Sequence, residues 1–370
     1  MTTTETTTDA DTAAETAAEE IVGRIFTEGV GAFHLLCVYV GQKLGLYDTL
    51  AAGGPATAAE LAQRTGLDAR YVREWVQAEA IAGLLTLDGD VDTGRCALAP
   101  GVREALVEET SPFYMGGLGT AVAAAGATVP KVVEAFRTGV GVAYAEYGPD
   151  AVEAQAALNR PAFVNSLVAE WLPAVPDLLA RLEDAGRPAR VADLGCGVGW
   201  AAIELAEAFP HIRVDGIDSD DESISQARRN AAERGVSDRV SFEVGDISAE
   251  RTSGAAYDAV LFFECLHDLG HPVEALAAAR SSLVDGGTVI VMDERVGETM
   301  PEPGDPIETF FATASVLWCL PQGRVDHDSE AVGTVMRPAT LRQLATRAGY
   351  SAVDVLPIEH PFWRFYRLVP

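Results

Sequence analysis

The sequence predicts an α/β fold: a Rossmann-like, seven-stranded sheet domain behind an N-terminal domain that is all-α with a winged helix. Three observations carry the prediction. From Arg190 onward, short apolar runs alternate with helical stretches of roughly 10–15 residues, the pattern of a parallel sheet covered on both faces. Two more apolar runs close the chain and bring the strands to seven. Ahead of them, Pro55 to Leu85 reads as a short helix, a glycine turn and a second helix, followed by a hairpin. With 370 residues, 48% of them apolar, the chain can bury sizeable cores in about two domains.

The elements follow in order. Residues 1–20, MTTTETTTDADTAAETAAEE, are acidic and of low complexity, and are expected to form a disordered tail. They lack the cationic start and apolar stretch of a secretory signal. Residues 21–105 are read as a winged helix-turn-helix domain. Ile21, Ile25, Phe33, Leu36, Val40 and Leu44 recur at helical spacing, predicting two helices separated near Gly29 and Gly31. Thr57 can cap the next helix with Glu60 as its capping-box partner. Gly66 ends it, and Asp68 caps a helix running to about Ile81. LLTLDGDVDTGRCALAP then supplies a wing that turns near Asp88-Gly89.

Residues 106–187 form a helical connector, with breaks expected at Pro112, Pro130, Gly148-Pro149 and Pro161. The α/β domain occupies 188–370. Its strands are RVADLG, RVDGID, RVSFEVGD, YDAVLFFE and TVIVMDE, then segments near Ala352–Leu356 and Phe362–Leu368. An amphipathic helix from Asp305 to Leu320 and another from Pro338 to Ala348 precede the final pair.

Charge narrows the partners. Fifty-five acidic residues against 27 basic give −28, and Lys43 and Lys131 are the only lysines. A salt-adapted cytoplasm and an Ala- and Arg-rich genome both fit this balance. Such a surface repels phosphate backbones and anionic lipid, so neither nucleic acid nor membrane is an expected partner. The five cysteines include no C-x-x-C pair, which argues against a disulfide framework or a zinc ribbon. The longest weakly polar stretch, Met115 to Val129, is too short to span a bilayer. A cytoplasmic location is expected.

VADLGCGVGW, Val191 to Trp200, is the most informative segment. An apolar strand ends in an acid and feeds Gly195, Gly197 and Gly199. Glycine lets the backbone turn sharply and lets a ligand lie against the main chain. The following helix points its N–H groups at that ligand. A dinucleotide motif would need its third glycine at position 200, which is Trp200.

Acid-x-Gly-x-Gly-x-Gly resembles the fingerprint of class I S-adenosylmethionine (SAM) methyltransferases. The likeness continues in order through Asp218, VGDI with Asp246 and Ile247, YDAVLFFECLHD and LVDGGTVIVMDE. It implies SAM as cofactor, held by Asp193, Gly195, Gly197 and Gly199. Asp218 would take the ribose hydroxyls, Asp246 the adenine amino group, and Ile247 a face of the ring. GVAYAEYG, AEWLPAVP, LHDLGHP, CLP and AVGTVM resemble a narrower group, prokaryotic methyltransferases with an N-terminal winged helix. That group is related in layout to plant-type small-molecule O-methyltransferases. Together the likenesses cover nearly all of residues 21–370. They imply a small-molecule methyl acceptor, partly apolar or aromatic, and a homodimer whose N-terminal domain also closes over the substrate.

The resemblance points to His267-Asp268 as the general-base pair, with Asp293 or Glu294 orienting base or substrate. Leu269 stands where the plant-type family has tryptophan. A loop histidine bonded to backbone and a solvated strand-end acid are the competing expectations. HDLGH mimics a zinc motif, but Asp268, Gly270 and Pro272 oppose it, so no metal is expected. Tyr144 and Tyr147 could cover the methionine end of the cofactor, where aromatic faces suit a sulfonium, or pack in the core. Phe310, Phe311 and Trp318 could wall an apolar pocket or simply be buried. The rival reading is a SAM-responsive DNA-binding regulator using Arg70 and Arg73. Residues 21–105 carry seven basic and ten acidic side chains, the opposite of a DNA-binding balance.

Overall fold

A computed structural model describes residues 5–248, 257–326 and 328–370. Residues 1–4 of the expected tail and His327 lie outside the described residues. The chain divides into two compact units: Met1–Glu108 with Tyr114–Ala123, and Glu109–Phe113 with Ala124–Pro370.

In the first unit, one helix, α1 (Glu5–Lys43), stands where composition predicted a tail and two helices. Gly29 and Gly31 do not break it. Neither has a positive φ, and a glycine inside a helix costs only about 1 kcal/mol. The break comes at Gly45, whose left-handed φ of 64° opens α2 (Leu46–Gly53). Val22, Ile25, Phe26, Val30, Phe33, Leu36 and Val40 are exposed along α1. Over Thr12–Lys43 this helix is long and apolar enough, by length and composition, to cross a bilayer; Met115 to Val129 is not the longest such stretch.

The helix-turn-helix forms as expected. α3 (Ala58–Thr65) carries the Thr57–Glu60 capping box, and Asp68 accepts from the Arg70 and Tyr71 N–H groups to start α4 (Ala69–Ala82). The wing pairs β1 (Leu85–Asp88) with β2 (Arg95–Leu98). Val72 and Val76 of α4 are buried with Leu61 and Leu85. Arg70 and Arg73 are paired with Glu74 and Asp92. α5 (Val102–Leu106) follows.

α6 (Gly117–Thr138) runs through Pro130 without ending. Its buried Ala124, Thr128 and Val132 recur every four residues, so burial of one face outweighs the lost backbone bond. α7 (Pro149–Ala162) likewise holds Pro161 and continues as a π-helical stretch, Phe163–Trp171. α8 (Pro176–Glu183) leads into the sheet.

The sheet uses β3 (Arg190–Leu194), β4 (Arg213–Asp218), β5 (Val240–Val244), β6 (Tyr257–Phe263), β7 (Leu283–Glu294), β8 (Ala352–Val355) and β9 (Trp363–Val369). Between them lie α9 (Trp200–Ala208), α10 (Asp221–Glu233), α11 (Pro272–Ser281), α12 (Pro306–Ala314), α13 (Leu320–Gly323) and α14 (Pro338–Arg347). Spatial order is β5-β4-β3-β6-β7-β9-β8, with β9 antiparallel to both neighbours. Alternate residues face opposite layers: Val191, Leu261 and Met292 join one core, Ala192, Phe262 and Val291 the other. The order reverses direction between β3 and β6, and open α/β sheets bind ligands in the crevice beyond such a switch point.

Candidate active site

Chemistry concentrates where β3 and β6 end side by side, with Leu194 registered against Phe262. The chain must turn at once after Leu194, and Gly195 and Gly199 take φ of 72° and 82°. A Cβ on Gly195 would lie 2.6 Å from the Cβ of Cys265, and one on Gly199 would lie 2.4 Å from the Phe242 ring. The bare backbone lets the two strand ends approach.

Asp218, at the end of β4, is pinned from two sides. Its Oδ2 accepts from the Gly197 N–H at 2.8 Å and its Oδ1 from the Asp220 N–H at 2.9 Å. Burial raises its pKa, and these two bonds oppose the rise. Asp193 accepts from the Ala202 N–H in the first turn of α9, and its Oδ2 has no partner. Burial, aided by the charge of Asp218, pushes Asp193 up to about 7. Asp246 accepts from the backbone and hydroxyl of Ser248, beside buried Ile247.

These groups surround a cavity of about 470 Å³, within the usual range for small-molecule sites. Asp193, Gly195, Gly197, Asp218, Asp246 and Ile247 all line it. So do Tyr144, whose hydroxyl donates to Gln155 Oε1 at 2.7 Å, and Asp268. Gly199 is not on the cavity wall; it packs on Phe242. Tyr147 also faces elsewhere. It is buried, donates to the Leu317 carbonyl at 2.8 Å, and lies 4.9 Å from the Trp318 ring. Phe311 and Trp318 are buried, Phe310 is partly exposed, and none of the three lines the cavity.

His267 is buried just behind this wall and is not one of its lining residues. Its Nδ1 is 3.1 Å from both oxygens of Asp293 and 3.2 Å from Glu294 Oε2; its Nε2 is 3.5 Å from Asp268 Oδ1. Burial alone would lower the pKa of this imidazole. Glu294, Asp293 and Asp268 outweigh that and raise it well above the ordinary value. The ring nitrogens therefore face carboxylates, not backbone. His267, Asp293 and Glu294 bring possible ligand atoms within 4.8 Å of one another, as do His267, Asp268 and Cys319.

Sequence reasoning missed Glu264, Asn159 and Gln155, all on the wall. Glu264 follows β6 with φ of 58°, a region that residues with a Cβ seldom adopt. Burial pushes its carboxyl up to about 7 against hydrogen bonds from Trp363 and Asn159. An acid placed directly after an apolar strand was the available signal.

Residues 187–333 match a family described as "Methyltransferase domain", and residues 32–98 match the Rv2258c-like winged HTH domain. The chain thus carries a methyltransferase domain and, ahead of it, a winged helix-turn-helix domain. It is similar to trans-aconitate 2-methyltransferase of Streptomyces avermitilis, 33% identical over 30% of this chain and 42% of that one. It is also similar to 3-hydroxy-5-methyl-1-naphthoate 3-O-methyltransferase of Streptomyces sahachiroi. There the identity is 29%, over 71% of this chain and 74% of the relative. The chain spans less than half the length of the first of these. Among solved structures, mitomycin 7-O-methyltransferase shares the fold with a TM-score of 0.65 and 20% identity. That likeness covers 97% of this chain and 100% of that one.

The methyltransferase domain depends on the close approach at Gly195. Gly195→Ala is expected to cost at least about 1–2 kcal/mol from the left-handed φ, before the overlap with Cys265. A lower urea midpoint at constant m would register it; an unchanged midpoint would show that the loop can yield.

Proposed function

We propose that this protein is a soluble, cytoplasmic SAM-dependent methyltransferase that methylates a small, partly apolar or aromatic metabolite at a hydroxyl. The observation that carries the reading is the pinned carboxylate of Asp218 on a cavity shared with Asp193, Asp246 and the glycine turn. Held by backbone N–H groups, Asp218 lines the cavity with a carboxylate whose two oxygens suit two vicinal ribose hydroxyls. Asp246 would accept from the adenine amino group, Ile247 would flank the ring, and Tyr144 would face the methionine end. Bound there, the cofactor supplies an electrophilic methyl on a sulfonium sulfur. The chain's own task is to orient the acceptor and exclude water, which accounts for much of the acceleration in such reactions.

His267 is the general base in this reading. Asp293 holds Nδ1, so the proton of the acceptor is taken up at Nε2, the edge beside Asp268. The surrounding carboxylates raise the pKa of this imidazole. Its basic form grows as pH rises through that raised value. Against the regulator reading, Arg70 and Arg73 pair with Glu74 and Asp92.

The homodimer rests on α1. Phe26 and Phe33, at 72% and 77% exposure, head its apolar exposed side chains. A second copy of the chain is the occupant proposed for them, since apolar area of this kind is stabilised by burial.

Three outcomes test the proposal. In calorimetry SAM should bind and NAD should not, with Asp218→Ala weakening SAM by about 1.5–3 kcal/mol; tight NAD binding or an indifferent variant overturns the cofactor assignment. His267→Ala should lower kcat by about 10²–10⁴-fold with SAM affinity unchanged. Wild-type kcat should rise with pH along a limb on the alkaline side of ordinary imidazole titration, and the variant should lack that limb. A loss below about tenfold removes His267 from the mechanism. Light scattering should find a dimer that Phe26→Asp with Phe33→Asp dissociates; a monomeric wild type, or sedimentation with lipid vesicles, rules out the second-copy assignment.

A further inference from the structure

The cavity wall is one-sided in charge. Asp193, Asp218, Asp246, Glu264, Asp268 and Asp326 contribute carboxyls, and no Lys or Arg is among the described lining residues. His271 is the one basic group among the described lining residues, and it lies 3.7 Å from both Asp326 and Asp328. In the methyl-transfer reading, on which this inference rests, Asp193, Asp218 and Asp246 serve the cofactor. Glu264 and Asp268 remain without a ligand to serve.

Behind them the imbalance deepens. Asp293 and Glu294 are buried, and with Asp268 they converge on the single imidazole of His267. Glu264 Oε2 is closed off from solvent and lacks a hydrogen-bond partner, and Asp268 Oδ1, also closed off, makes no hydrogen bond beyond its 3.5 Å approach to His267 Nε2. Buried carboxylates without enough positive charge are costly, and they are relieved by protonation or by a cation brought alongside. Burial holds the carboxyls of Glu264 and Asp268 above their ordinary values, as it does where no cation has yet arrived. Val152, Phe163, Phe263 and Leu269 complete the wall with apolar surface that suits an organic body.

We infer that the methyl acceptor is an organic cation, an amine-bearing molecule whose ammonium pairs with Glu264 and Asp268. The ammonium is a recognition handle, separate from the hydroxyl that accepts the methyl group. An acceptor carrying a carboxylate or phosphate would add like charge where little water screens it. This separates the chain from the two relatives above, which are named for trans-aconitate and a naphthoate.

Three probes with one body test it: 3-phenylpropylamine, 3-phenylpropan-1-ol and 3-phenylpropionate. Each is titrated by calorimetry into the full-length protein, with and without S-adenosylhomocysteine. The amine should bind at least roughly tenfold tighter than the alcohol, the scale of one charge-assisted hydrogen bond, and the carboxylate should not bind. Glu264→Gln should erase the amine's advantage while leaving S-adenosylhomocysteine affinity and the thermal melt unchanged; Asp268→Asn should reduce that advantage in the same direction. Equal binding of amine and alcohol, preference for the carboxylate, or binding of none of the three overturns the inference. Failure of S-adenosylhomocysteine to bind would instead sink the methyl-transfer reading. The preference for amine over alcohol, read without it, would still decide the charge of the acceptor.

Discussion

The close approach of β3 and β6 at their carboxyl ends is the constraint on which the site depends. Gly195 meets Cys265 where no side chain has room, and Cys265 Sγ sits 3.0 Å from the Leu194 carbonyl. That contact seats the glycine turn against the loop that carries Glu264, Asp268 and His267. A wider separation would move Asp218's backbone donor at Gly197 away from the wall that holds Glu264 and Asp268. The binding turn and the chemical loop are thus positioned by one piece of packing, between strands buried on both faces.

Charge gives this geometry its character. Most proteins avoid burying several carboxyls around one imidazole, because desolvation disfavours every ionised form at once. Here Asp268, Asp293 and Glu294 converge on His267, with Glu264 on the wall beside them. The arrangement raises the imidazole and most of these carboxyls together, so protons are shared over a network rather than owned by single groups. Groups tuned in this way cluster at functional sites more often than in structural cores.

The first unit follows a different physics. α3 and α4 are defined by local capping, with Thr57, Glu60 and Asp68 satisfying backbone donors that any helix leaves open. The basic side chains at the start of α4 are spent on neighbouring acids. What this unit leaves uncovered is apolar, along α1, and the net negative charge of the chain sets a strong bias against anionic surfaces.

Local signals decided much of this protein. The seven strands, the capping box, the wing and the glycine turn were legible because each depends on the periodicity or backbone chemistry of a few consecutive residues. Asp193, Asp218, Asp246 and Ile247 were legible for the same reason, as residues at strand ends. The long helix α1 was not, since its glycines weaken a helix without specifying where it stops. Pro130 and Pro161 misled because burial of a helix face, a tertiary effect, outweighed a local rule. Tyr144 and Tyr147 are three residues apart in a similar local sequence, yet one reaches the cavity and the other packs on Trp318. His267 was recognisable as a residue of interest, but its place behind the wall and its three acidic neighbours come from β7 and the loop folding together. Glu264 carried no motif. Its role on the wall arises from a left-handed turn and from Asn159 and Trp363, about a hundred residues away on either side, and only the tertiary structure brings those together.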